Sequence, residues 1–127
     1  MKLDIDCVRD VLLELESFPI GCYNASSFKK SITEHGEQNV LYTLAKLTEA
    51  QYVNATLRRT IGGQPYIDNV FDLTFTGHEF LNSIRTPEVW KRLKGASVEG
   101  STACLKVVSD IAVEMLKEYA KQKLGIN

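Results

Sequence analysis

The sequence predicts an α+β domain in which helices cover a small antiparallel hairpin, followed by an additional long C-terminal helix. Three observations carry that expectation. Apolar residues recur at helical spacing near the start, in the middle and at the end of the chain. Between the central and later helical stretches the pattern alternates residue by residue on both sides of a glycine-rich segment. The chain has 127 residues, of which 44% are hydrophobic and 24% charged, enough for one domain with a buried core and unlike a disordered chain.

The first helix is read in "LDIDCVRDVLLELES". Asp4 is its cap, Asp6 suits the first turn, and Ile5, Val8, Leu12 and Leu15 share one face. Pro19 and Gly21 end it. Within "GCYNASSFKKSITEHGEQ" the piece "SFKKSIT" is expected to be a short strand, with Lys29 and Lys30 either solvated at its edge or in contact with phosphates, and His35 in a loop. A second helix is expected from Glu37 to Ala50, with Val40, Leu41, Leu44 and Leu47 inward and Gln38, Lys46 and Glu49 outward.

In "YVNATLRRT" the residues Val53, Ala55 and Leu57 alternate with Asn54, Thr56 and Arg58, as in a half-exposed strand. "IGGQP" turns the chain. "YIDNVFDLTF" alternates again, with Ile67, Phe71, Leu73 and Phe75 on one face and Asn69 breaking the pattern. Thr76 and Glu79 have capping-box spacing, with Phe75 and Phe80 at the flanking staple positions. They predict a helix start with Phe80, Leu81 and Ile84 as its apolar stripe. Thr86 and Pro87 open a further helix running to Gly95. "ASVEG" loosens the chain, and a last helix is expected over 101–124. Leu105, Val108, Ala112, Met115 and Tyr119 form its main face, widened by Cys104, Val107 and Ile111. The whole chain is read as one domain, 1–127, with 96–127 as a helical extension that could pair two copies into a homodimer.

Candidate chemistry is sparse. His78 and Glu79 lack the second histidine of H-E-x-x-H, because position 82 is Asn. The other histidine is His35, and Cys7, Cys22 and Cys104 form no CxxC pair. There is no G-x-S-x-G elbow and no phosphate loop. No catalytic residue, cofactor or metal is therefore assigned, and a capping or surface role is expected for His78. The chain start lacks the apolar stretch of a secretion signal and no run is long enough to span a membrane, so a cytoplasmic location is expected.

Net charge is -1, so any affinity for a polyanion must come from a local patch. Residues 1–24 hold two basic and five acidic side chains, whereas residues 86–127 hold seven basic and five acidic ones. Arg58 and Arg59 stand near the hairpin tip, and Lys91, Arg92 and Lys94 form a second basic group. Helix, short strand, helix and hairpin is the order of a winged-helix domain, short of one helix before the hairpin. On that reading DNA is the partner: Arg58 and Arg59 act at the wing, Gln38, Tyr42 and Lys46 on the central helix, and Lys91, Arg92 and Lys94 on phosphates. The alternative is a protein-interaction module of the same shape.

Three segments also carry a family resemblance: "MKLDIDCVRDVLLELE", "YTLAKLTEAQYV" and "LTFTGHEFLNSIRTPEVWK". They are similar to the DUF2513 family of phage and other mobile elements. The matching positions include Asp4, Asp6 and Arg9, then Leu44, Lys46 and Glu49, and then Thr74, Gly77, His78, Glu79, Phe80 and Trp90. The resemblance implies a winged-helix-like layout and implies no activity. The chain departs from the family pattern at Thr43, where a histidine is usual, at Gln51 (glycine), at Asn82 (aspartate) and at Thr86–Pro87 (two acids).

Overall fold

Helix α1 spans Ile5–Ser17 and begins as expected: the Asp4 carboxylate accepts from the Asp6 amide at 2.9 Å. Its buried face is Cys7, Val8, Val11, Leu12 and Leu15. Phe18 leaves the helix and stacks with Tyr23 and Phe28, at ring-centroid distances of 4.6 and 5.2 Å. This aromatic group closes the turn that Pro19 and Gly21 open. A computed structural model of the chain describes residues 1–97 and 105–125. These fall into two compact units, Met1–His78 and Glu79–Asn127, taken one at a time below.

In the first unit the expected strand in "SFKKSIT" is a helix instead. After a short 3-10 turn at Ala25–Ser27, α2 spans Lys29–His35. Seven residues are too few to hold a helix by local propensity alone, and its N-cap position, Phe28, offers no side-chain acceptor. The acceptor comes from α1. The Glu14 carboxylate, 9% exposed, takes the Lys30 amide on Oε2 at 3.0 Å and the Ser31 amide on Oε1 at 2.9 Å. His35 is likewise no solvated loop residue. It lies in the last turn of α2, its side chain 10% exposed, with Nε2 2.7 Å from Asp10 Oδ2 of α1.

Gly36, at φ 89°, turns the chain directly into α3, Glu37–Glu49. Val40, Leu44 and Leu47 of the expected face are buried, Leu41 is half-buried, and Thr43 and Ala45 join them. Thr43, at the place where the resembled pattern has histidine, donates from Oγ1 to Cys7 Sγ at 3.3 Å inside the core.

Strands β1, Val53–Arg59, and β2, Pro65–Leu73, form the expected antiparallel hairpin around the loop Thr60–Gln64. Pairing runs from Val53↔Leu73 to Arg59↔Pro65, but Ala55 faces Val70 while Asn54 faces Asp72, and Leu57 faces Ile67. β2 therefore carries extra residues on both sides of Val70. They rotate its inward set to Ile67, Val70 and Leu73, all buried, and leave Phe71 46% exposed. The expected face of Ile67, Phe71, Leu73 and Phe75 is corrected accordingly, and Asn69 does mark the irregularity. On the other edge of β2, Tyr23 exchanges both backbone bonds with Val70 at 2.8 Å.

Helix α4, Phe75–Arg85, begins one residue before the expected cap Thr76. Thr74 caps it, accepting from the Gly77 amide at 2.9 Å. Residue N3 is then Gly77, so no capping box forms, and Phe75 is 79% exposed, which removes the staple. Phe80, Leu81 and Ile84 are buried as expected. In the second unit α5 spans Pro87–Ser97, beyond Gly95, and α6 spans Leu105–Leu124 and packs on α5. Ala112 is buried; Met115 and Tyr119 are half-buried and line a cleft of about 220 Å³ with Val89 and Arg92 of α5. The expected helix start at Ser101, the residue Cys104 and the side chains of Leu105, Val107 and Val108 lie outside the described residues.

The two described cysteines differ. Cys7 is buried and Cys22 is exposed. Burial pushes the Cys7 thiol above its ordinary value of 9.0, with Asp4 and Asp10 adding to the shift and the Thr43 hydrogen bond opposing it. In a Cys104→Ser background, one equivalent of thiol reagent should react promptly with Cys22, and Cys7 only on unfolding. Because the folded pKa is raised, Cys7 favours the native state below about 9 and loses that contribution as pH climbs through the folded value. A melting series at alkaline pH should fall less steeply in Cys7→Ala. A fast-reacting Cys7 in the native chain would contradict both expectations.

Candidate functional site

The outer side of α3 carries Gln38, Tyr42 and Lys46 at i, i+4 and i+8, one stripe of the helix. Gln38 is exposed, and Tyr42 and Lys46 are half-buried. Lys46 Nζ lies 5.4 Å from the Tyr42 ring centroid, a cation–π contact that holds the ammonium along the stripe. It also reaches Glu49 Oε2 at 3.1 Å. The other oxygen of Glu49, Oε1, accepts from Arg59 Nη2 on β1 at 2.8 Å. One carboxylate thus ties a lysine of the helix to an arginine of the hairpin. Arg59 Nη1 also donates to the Gly63 carbonyl at 3.3 Å.

Neighbouring strand residues point to opposite faces, so Arg58 turns away from Arg59. Its Nε is 3.6 Å from Asp68 Oδ2. The side chains of Arg58 and Arg59 are 68% and 52% exposed. Pairs this open to water contribute about 0–1 kcal/mol each. They orient the guanidinium groups without binding them tightly, so an incoming anion can exchange for the carboxylates.

Of the residues expected at the site, the first unit brings together Gln38, Tyr42, Lys46 and Arg59, with Arg58 on the other face of the same strand. Lys91 and Arg92 are exposed on α5 in the second unit, and Lys94 Nζ lies 5.9 Å from the Trp90 ring centroid. Glu49 is the member that sequence reasoning missed. One signal was available: a carboxylate in the last turn opposes the helix dipole, so its presence there called for cations close by.

His78 and Glu79 are both exposed on the first turns of α4. Among the described residues no group of three or more His, Cys, Asp or Glu side chains is placed to hold a metal ion. A cleft of about 320 Å³ between α1 and α2 is lined by Asp10, Glu14 and Glu34 among others, but both Glu14 oxygens are committed to α2 amides. No described helix is long and apolar enough to cross a membrane.

The first unit is thus a small α+β assembly whose polar side chains orient one another and converge on no reactive centre. The chain matches the family model described as hypothetical protein (DUF2513) over residues 2–103, and it belongs to that family. It is also similar to an uncharacterized protein of Haemophilus influenzae, with 27% identity over 121 residues, covering 95% of this chain and 93% of that one. No solved structure matches it.

Proposed function

We propose that the protein is a winged-helix DNA-binding protein serving as a regulatory or accessory factor of a phage or mobile element. The order α1, α2, α3, β1, β2 supplies the helix before the central one that the sequence alone left out. α3 takes the role of the groove helix and the β1–β2 hairpin that of the wing. The observation that carries this reading is Glu49, which bridges Lys46 of α3 and Arg59 of β1 and so lines up the cations of helix and wing side by side. Gln38 is suited to a base edge and Tyr42, Lys46, Arg58 and Arg59 to phosphates. Lys91, Arg92 and Lys94 on α5 are suited to phosphates in their own unit, and pairing through α6 would bring two copies to one duplex. The family's association with mobile elements supplies the setting.

A salt titration on a short duplex, read by anisotropy, tests the proposal. Log affinity should fall linearly with log salt. The double variant Arg58→Ala, Arg59→Ala should bind more weakly and with a slope shallower by about two. Absence of binding at low salt would remove the DNA reading.

A second reading has its own support. Glu49 and Asp68 offset both arginines, and Tyr66 and Phe71 on β2 are 54% and 46% exposed. Charge offset beside exposed aromatics suits a protein partner at the same hairpin. In that case the arginine variant leaves DNA behaviour unchanged and Tyr66→Ala weakens capture of the partner.

A further inference from the structure

The loop Thr60–Gln64 is braced by its own hydrogen bonds. The Thr60 amide donates to the Gln64 carbonyl and the Gly63 amide to the Thr60 carbonyl, both at 2.9 Å. The Gln64 amide donates to Thr60 Oγ1 at 3.2 Å, and Arg59 braces the Gly63 carbonyl from outside. From this rigid frame Ile61 extends a fully exposed side chain.

Its neighbour Gly62 adds no side chain to the tip. It has no positive φ, and a Cβ built there would approach nothing closer than Thr60 Oγ1 at 4.0 Å. Gly63 differs, because its φ of 82° itself requires glycine. A glycine at this turn position leaves the backbone beside Ile61 bare, so the tip can be approached closely from outside the chain. Beside it stands an apolar side chain that belongs to no core. The tip is therefore narrow and apolar, with two arginines at its base.

We infer that Ile61 is a wedge that enters the minor groove of duplex DNA and partly unstacks a flexible pyrimidine–purine step. Gly62 keeps the tip thin, and Arg58 and Arg59 hold the phosphates at the groove edges. The inference rests on the DNA-binding reading above and adds how the wing engages. The minor groove is about 6 Å wide, which admits a loop edge without side chains beside the wedge. Inserted aliphatic residues unstack and kink such steps, and TA and CA/TG steps give way most readily. Flanking guanidinium groups match a polyanion. A single isoleucine is too little apolar surface to hold a loop on a bilayer.

The test uses the full chain and a duplex with 2-aminopurine at a central TA step, at low salt. Binding of the wild type should raise the 2-aminopurine emission, because the base leaves its stack. Ile61→Ser and Gly62→Val should abolish the rise and weaken binding roughly five- to tenfold, the scale of losing one buried contact residue. Both should keep the wild-type melting temperature and salt slope, since neither removes a phosphate contact. Ile61→Leu should restore the rise. Binding with no emission change, or an unchanged rise in Ile61→Ser, overturns the wedge and leaves DNA binding standing. Failure of the wild type to bind at low salt overturns both.

Discussion

Replacing Gly77 by alanine should cost on the order of 3–5 kcal/mol of folding stability, a large share of the roughly 5–15 kcal/mol that holds a domain of this size together. A Cβ at position 77 would lie 2.0 Å from the Tyr52 carbonyl oxygen and 2.9 Å from the Tyr52 carbonyl carbon. Both are backbone atoms, so no rotamer change relieves the clash. They are also pinned. The Thr74 amide donates to that same Tyr52 oxygen at 3.0 Å, and Thr74 Oγ1 donates to the Gln51 carbonyl at 2.7 Å while accepting from Gly77. The first turn of α4 is nested on the Gln51–Tyr52 backbone, and alanine would have to pry the two apart. Urea titration of the variant gives the measurement, with His78→Ala, at an exposed position, as the near-neutral comparison. A loss under about 1 kcal/mol would mean that the turn yields easily and that the nesting is no structural requirement.

That expectation also answers what the segment "LTFTGHEF" is for. Its histidine and glutamate face water, whereas its glycine and Thr74 make the contacts. The capping-box spacing of Thr76 and Glu79 was a valid local signal, yet Thr74 prevailed because its hydroxyl serves two partners, one of them 23 residues away. Similar reasons divide the rest of the fold. α1 and α3 were legible because thirteen residues each carry a full apolar stripe, and α1 also carries its own cap. The hairpin was legible as an alternation but not in register, since extra residues on β2 are fixed by pairing with β1 and Tyr23. Gln51 shows what one departure from the resembled pattern costs. It sits at φ 65°, a conformation glycine adopts freely and glutamine at about 1 kcal/mol or more. At the candidate site the cations were legible as charges, but their mutual orientation through Glu49 needed the hairpin beside α3.

The helix least legible in sequence yields the second large effect. Glu14→Ala should lower stability by about 2–3 kcal/mol, because it strands two amides at the start of α2 that accept no substitute from their own segment. A seven-residue helix without a cap has little nucleation to draw on, so the loss should begin locally. The Lys30 and Ser31 amides should exchange with solvent well before those of α1 and α3. Glu14→Gln keeps one acceptor oxygen but turns a donor toward the second amide. It should therefore fall between wild type and alanine. That ordering distinguishes a cap from simple packing, since glutamine preserves the volume and packing alone would leave it near wild type. If DNA is bound as proposed, the alanine variant should also bind less tightly with an unchanged salt slope, because the damage lies in the support of α3 and removes no phosphate contact. Wild-type exchange rates at Lys30 and Ser31 in Glu14→Ala would show that α2 is held by something other than this carboxylate.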